Sequence, residues 1–324
     1  MFELIRPGTQ IDFAGKRHLF VGLSILSVIV GVVLFFTKGL NYGIDFTGGA
    51  EVQIRAPQGW DIARVRSEMG REDLKGLKVV QLGEAGSPEF LIKAQGSESE
   101  LNQVSQRVEK VLASASGPGQ YEVQRVDVVG PAAGSSLRKS GFLSMFYALL
   151  CILIYVALRF DVRYAPGAVL ALFHDTVITV GIFILTQKQF DLLTLAALLA
   201  LIGYSNNDTI IVFDRVRETL QANPKLSIEE AVNKATNETL GRTILTSVTT
   251  FFSAAALWVF GGPVIHDFAF TFMVGIVVGS YSSIFVASAF VIYLTHYQQK
   301  RASRNPSGSR KRQVSVRPEP KFTT

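Results

Sequence analysis

The sequence predicts a polytopic α-helical membrane protein with six transmembrane helices and one α+β domain of ferredoxin-like type between the first and second. Three observations predict it. Of 324 residues, 48% are hydrophobic and only 18% charged, whereas soluble domains run near 25% charged. Six apolar stretches, at 19–36, 142–158, 165–186, 192–213, 244–260 and 268–294, each approach the ~20 residues that a helix needs to cross ~30 Å of hydrocarbon. Residues 38–141, by contrast, balance 13 basic against 13 acidic side chains, the composition of a water-soluble domain.

The elements follow in order. Residues 1–18 precede the first stretch, and Lys16 and Arg17 at their end imitate a signal peptide. The stretch is long for such a segment, and Thr37-Lys38-Gly39-Leu40 lacks a small-residue cleavage pattern, so 19–37 is a retained helix. Next, Gly43-Ile44-Asp45-Phe46-Thr47-Gly48-Gly49 is expected to form a turn that starts the first strand, because glycine tolerates positive φ; Asp45 is expected to cap it. Alternation predicts strands at 50–55, 77–82, 89–94 and 121–129, with residues 83–88 joining the middle two. Asp61 opens a helix over 61–69. A second helix covers 98–113, with Leu101, Val104, Val108, Val111 and Leu112 on one face. The order β-α-β-β-α-β is that of a split βαβ unit. A domain of ~80 residues can bury a modest core.

Residues 142–294 supply helices two to six. Gly261-Gly262-Pro263 ends the fifth helix, and Gly275, Gly279 and Ser283 form a small-residue ridge on the sixth, which permits close helix approach. Residues 295–324 are a basic tail. From 301 onward it has almost no large apolar side chains and cannot offset the entropy of ordering, so it is expected to be disordered.

Lysine and arginine set the orientation. Eighteen fall in 1–18, 159–164 (Arg159, Arg163), 214–243 and the tail, against Lys188 alone in the two short loops of the opposite side. The positive-inside rule then puts both termini in the cytoplasm and residues 38–141 outside, since long domains translocate largely regardless of charge. The net charge of +6 invites a nucleic-acid reading. Yet the tail holds eight basic residues and one acid, Glu319, so the whole excess lies there. Near anionic lipid each such residue is worth ~1 kcal/mol, which makes membrane lipids the expected partner and excludes nucleic acid.

One cysteine, Cys151, and four scattered histidines exclude a disulfide framework and a thiolate metal cage and argue against zinc. Nucleotide-binding loops and nucleophile constellations are missing as well, so neither a cofactor nor enzymatic chemistry is expected.

Three ionisable residues lie deep in the apolar stretches: His174 and Asp175 in the third, Asp208 in the fourth. Each costs ~2.5–3.5 kcal/mol near the membrane centre, so each is a functional candidate. Helical spacing puts Tyr204, Ser205 and Asp208 on one face, with Asp208 ~8 Å past the midpoint toward the cytoplasm. The fifth helix begins at the cytoplasmic face with Arg242, at a depth similar to that of Asp208, and Thr246, Thr249, Thr250 and Ser253 are expected to continue its face inward. Low dielectric disfavours a carboxylate's charged form and a nearby guanidinium favours it. A group between those forces can load and release a proton, while Arg242 stays charged. Asn206, Asn207, Tyr204 and the hydroxyl stripe add a hydratable path. The alternatives are a static Asp208–Arg242 pair and an aspartyl-protease dyad of Asp175 and Asp208, whose glycine-aspartate motif is absent. Adjacent residues point ~100° apart, so only one of His174 and Asp175 can face Asp208 squarely; a supporting hydrogen-bond role is expected there.

Several motifs in order resemble the SecF family of protein-export subunits. They are Gly43–Gly49, Val129-Gly130-Pro131 with Gly134, Leu137 and Gly141, Arg159-Phe160, the run from Gly203 to Glu218, Arg242-Thr243-Ile244-Leu245-Thr246-Ser247, and the run from Ser282 to Ser288. The likeness spans about 19–294. One departure is Asn206, where relatives commonly carry an apolar residue. The resemblance implies half of an RND-superfamily transporter in the cytoplasmic (inner) membrane, paired with SecD. It also implies use of the proton-motive force to draw a translocating polypeptide outward from the SecYEG channel. It assigns proton transport to the residues matching Asp208 and Arg242. Two rival readings remain: an RND-like proton-coupled exporter of small molecules or lipids, which one half and one external domain disfavour, and a scaffold with no transport role.

Overall fold

The computed structural model describes residues 10–304, apart from 73, 83–85, 118 and 160–164. Arg6, Phe160, Arg163, most of the expected disordered tail and the start of the 83–88 connection therefore lie outside the described residues. Along the chain run α1 (Arg17–Thr37), β1 (Asn41–Tyr42), the single turn α2 (Ile44–Thr47), β2 (Gly49–Arg55), α3 (Ile62–Met69), β3 (Lys78–Leu82), β4 (Glu89–Ala94), α4 (Glu98–Ser116) and β5 (Glu122–Val129). Then come α5 (Pro131–Arg159), α6 (Ala165–Leu185), β6 (Gln189–Phe190), α7 (Leu192–Ala222), α8 (Ile228–Phe260) and α9 (Gly262–Ser282). A π-helical turn (Ser283–Ala287) carries α9 into α10 (Ser288–Arg304). Among the described residues, six helical spans are long and apolar enough to cross a membrane.

Several helices outrun their apolar stretches. α5 opens at Pro131 rather than 142, with proline in its first turn, where the missing N–H costs nothing. α8 opens at Ile228 rather than 244, behind a capping box made by Ser227 and Glu230. Its first turns bury Ile228, Val232 and Ala235 against Val212, Val216 and Ala14. Hydropathy marks the slab of membrane crossed; the helices continue beyond it as amphipathic cylinders packed on one another. The tail expectation is corrected for the same reason. Residues 295–304 stay helical, ending on Arg301 and Arg304 in the last turn, where cations favour the negative end of the helix dipole.

Between α1 and α5 lies a four-stranded antiparallel sheet in the order β3-β4-β2-β5. The domain's first and third strands are central and the other two form the edges, as two interleaved βαβ units require. The inward side chains of β2 and β4, among them Val52, Ile54, Phe90 and Ile92, pack on Val65 and Met69 of α3 and Leu101, Val104, Val108 and Leu112 of α4.

The domain rests on one end of the bundle. β1 pairs in parallel with β6, Asn41 Nδ2 donates to the Gln187 carbonyl at 3.1 Å, and Gln189 Nε2 donates to Glu51 Oε1 on β2 at 2.8 Å. Asp45 does not cap its own turn. Its Oδ2 accepts from the Leu192 N–H at 3.0 Å, at the start of α7. Gly48 has φ +74°, and a Cβ there would lie 2.6 Å from Pro131 Cα, so this position needs glycine for both its backbone and its space. At the opposite end, Asn237 of α8 exchanges two 2.8 Å hydrogen bonds with the backbone of Ile11.

Candidate functional site

The small-residue ridge of the sixth span sets the geometry. α7 and α9 run parallel and meet in register: Gly275 abuts Leu201, Gly279 abuts Ser205, and Ser283 bonds Thr209 through their hydroxyls at 2.9 Å. A Cβ on Gly279 would lie 3.0 Å from Ser205 Oγ. This close contact brings polar groups of α6, α7, α8 and α9 into one bundle core.

Asp208 is buried, with 8% of its surface exposed. Thr243 Oγ1 of α8 donates to its Oδ1 at 2.6 Å, and the Ser283 hydroxyl also acts on the carboxyl, while its Oδ2 is buried with no close hydrogen-bond partner among the described residues. Arg242 acts on Asp208 electrostatically, but no ion pair within 4.0 Å joins them among the described residues, and Arg242 is exposed. The cause is helix phase. Residues 242 and 243 point ~100° apart, so the turn that aims Thr243 at Asp208 aims Arg242 away from the chain's core.

The same phase corrects the expected stripe. Thr246 is exposed and donates to the Arg242 carbonyl at 3.0 Å; Thr249, Thr250 and Ser253 likewise bond to carbonyls of their own helix. The polar face turned inward is one residue over: Thr236, Thr239 and Thr243 are buried, and Ser247 pairs with Ser280 of α9 at 2.6 Å.

On α7 the expected face divides. Ser205 is buried and donates to Asp175 Oδ2 at 2.6 Å. The Tyr204 hydroxyl is buried with no hydrogen-bond partner among the described residues, its ring beside Phe272. Asn207 is exposed, whereas Asn206 is buried with an unpaired Oδ1. Asp175, 1% exposed, also accepts from Ser282 Oγ at 2.8 Å and sits 2.9 Å from His174 Nδ1. The His174 ring stacks on Tyr281, whose hydroxyl donates to the Phe20 carbonyl at 2.8 Å. Both residues of the pair face inward, but toward α7 and α9 upstream of Asp208 rather than at Asp208 itself. Thr243 and Ser282 were missed by sequence reasoning, and Ser283 was read only as packing; the hydroxyl-rich runs around them were visible, the facing was not. Among the described residues no group of three His, Cys, Asp or Glu side chains is placed to hold a metal ion.

Comparison with known proteins gives a consistent answer. A family model for the C-terminal region of protein export membrane proteins SecD/SecF matches residues 107–297, and one for the SecD/SecF GG motif matches residues 33–56. The protein translocase subunit SecF of Calditerrivibrio nitroreducens is 45% identical, over 92% of this chain and 98% of the relative. SecF of Pseudomonas aeruginosa is 38% identical over 90% and 93%. The crystal structure of SecDF, a translocon-associated membrane protein from Thermus thermophilus, superposes with a TM-score of 0.80 at 35% identity. That match covers 89% of this chain and 39% of the longer SecDF chain. The chain belongs to the SecD/SecF family of protein export membrane proteins, on its SecF side.

Proposed function

We propose that this chain is the SecF-type half of a protein translocase accessory complex that uses the proton-motive force, together with a SecD-type half, to promote late steps of protein export. The observation that carries the proton role is the Asp208 carboxyl. It is buried between α7 and α8, held at one oxygen by Thr243, with the Ser283 hydroxyl acting on it more loosely and Arg242 near but not locked onto it; its Oδ2 has no close hydrogen-bond partner among the described residues. A static ion pair uses both groups up; this arrangement leaves an acceptor open for a proton. One charge crossing 100 mV supplies ~2.3 kcal/mol, so several protons suffice to bias a two-state movement.

Partnership with a SecD-type half is supported by the exposed faces. Arg242, Thr246 and Thr249 of α8, with Asn207 of α7, are exposed on the outside of the chain. Polar groups facing lipid are costly, and a second helical half relieves that. The SecYEG channel, the emerging polypeptide and membrane lipids are the further partners of this reading, and the charge distribution supports cytoplasmic termini with the α/β domain outside.

The test is Asp208→Asn, read as completion of translocation and as proton-dependent current in vesicles. Both are expected to be lost with the protein present at its normal level; unchanged export would refute the proton role.

A further inference from the structure

We propose that Asp175 is a second proton-binding carboxylate of the bundle, coupled in series to Asp208 through Ser205, Ser282 and Ser283. The inference rests on the proton role of Asp208 and adds a site that role does not need.

Burial comes first. Asp175 is more deeply enclosed than Asp208, at 1% exposure, and no lysine or arginine pairs with it among the described residues. A charge in such a place is expensive unless compensated. The groups acting on its carboxyl are His174 on its own helix, Ser205 from α7 and Ser282 from α9; α1 contributes Ser24, bonded to Tyr281, whose ring stacks on His174. The nearest other acid along α7 is Asp208, one turn beyond Ser205.

The proton count follows. With Nδ1–H donating to Asp175, a neutral His174 leaves Nε2 as a bare acceptor, and the pair carries one negative charge. Nε2 is buried and without a hydrogen-bond partner among the described residues. Uptake of one proton on the carboxyl makes the pair neutral without creating an imidazolium, the form that a low dielectric favours. A metal cation is the poorer fit, because in that tautomer the Nδ1–H, with Nδ1 2.9 Å from the carboxylate oxygen, repels it.

Coupling is built into the chain. Ser205 and Asp208 lie one turn apart on the same face of α7. Ser282 bonds Asp175, and its neighbour Ser283 bonds Thr209, the residue next to Asp208. Consecutive serines thus serve the two carboxyl sites from one point, where α9 passes into a π-helical turn, a deformation common at functional positions. Ser288 Oγ donates to the Ser283 carbonyl at 3.1 Å, five residues back, and so stabilises the widened turn. The buried unpaired atoms Tyr204 Oη, Asn206 Oδ1, Asp208 Oδ2 and His174 Nε2 lie in this core. Each costs ~1–3 kcal/mol when left unmade, which suits a core that hands protons between transient partners.

The test is pH-difference infrared spectroscopy of the full chain in phosphatidylcholine vesicles, following the carboxyl C=O stretch of dry, protonated side chains. Two such bands are expected on acidification. Asp175→Asn removes one and shifts the midpoint of the other; Asp208→Asn removes the other. An Asp175→Asn spectrum that retains both bands overturns the inference, whereas two bands surviving Asp208→Asn overturns the proton role of Asp208, so the two failures are separable. If Asp175→Asn does not fold, Ser282→Ala, which deletes one hydrogen bond and no charge, is expected to move one band in frequency and midpoint; no movement overturns the assignment. Replacing potassium by sodium is expected to leave both bands unchanged, and a sodium-dependent loss of the Asp175 band overturns proton binding in favour of a cation site.

Discussion

At the scale of single residues, the bundle core is held by what is missing from Gly279 as much as by what its neighbours carry. Its position lets the Ser205 hydroxyl reach Asp175: an added Cβ would stand 3.0 Å from Ser205 Oγ and 3.6 Å from Asp175 Oδ2. Gly279→Ala is therefore expected to cost ~1–3 kcal/mol, the range for overpacking a filled core, and to weaken the Ser205–Asp175 bond. Gly203→Ala, with nothing within 4 Å of its would-be Cβ, is expected to leave the unfolding midpoint of the detergent-solubilised chain unchanged. Equal midpoints for the two variants would sink the packing argument. His174, Asp175 and Asp208 were legible in the sequence because an ionisable residue in an apolar run conflicts with its surroundings locally. The choice between Asn206 and Asn207, or between Thr243 and Thr246, was not. Threonines and serines crowd several faces of α8, so no amphipathic contrast fixes its rotation; neighbouring helices do.

At the scale of elements, local chemistry explains why the α/β domain was easier to locate than the helix ends. β4 spans 89–94 in both the expectation and the structure, since Phe90, Ile92 and Ala94 alternate inward between Pro88 and Gly96. α3 begins where expected because Asp61 Oδ1 accepts from the Arg64 N–H at 2.7 Å. α4 starts with a capping box: the Glu100 carboxylate accepts from the Ser97 N–H at 2.8 Å and pairs with Lys75 at 3.1 Å. That backbone bond, reinforced by Lys75 and the Ser97 hydroxyl, holds the Glu100 carboxyl down at about 2 from its ordinary 4.5. A depressed acid stabilises the fold above its unfolded value and loses that contribution as pH falls through the folded one. The first turn of α4 is expected to loosen as pH drops from about 4.5 toward about 2, read by amide hydrogen exchange. Glu100→Gln should remove that part of the pH dependence; an identical profile in the variant would refute it.

At the scale of the whole molecule, the α/β domain and α7, the helix that carries Asp208, share a joint. Asn41, Asp45 and Glu51 reach the 187–192 segment by hydrogen bonds, and Lys188 closes the same end through Asp267 at 2.6 Å. Asp45 and Leu192 stand 147 residues apart in sequence, so no local pattern in the chain announced their contact; only the GG-motif segment itself was legible. α7 is a continuous helix from this joint to Asp208, sixteen residues and so ~24 Å away at 1.5 Å per residue. A rigid rod of that kind carries displacement of its polar core to the seat of the domain, provided its first turn is anchored. Asp191 caps that turn from within, its Oδ1 accepting from the Thr194 N–H at 2.7 Å, whereas Asp45 anchors it to the domain. Replacing Asp45 by Ala should thus leave α7 capped and cut only the link. In vesicles, Asp45→Ala is expected to retain proton flux while export falls, the reverse of Asp208→Asn, for which flux itself is expected to be lost. Flux and export falling together would place Asp45 in proton passage, and both staying intact would show that the domain takes its drive from another contact.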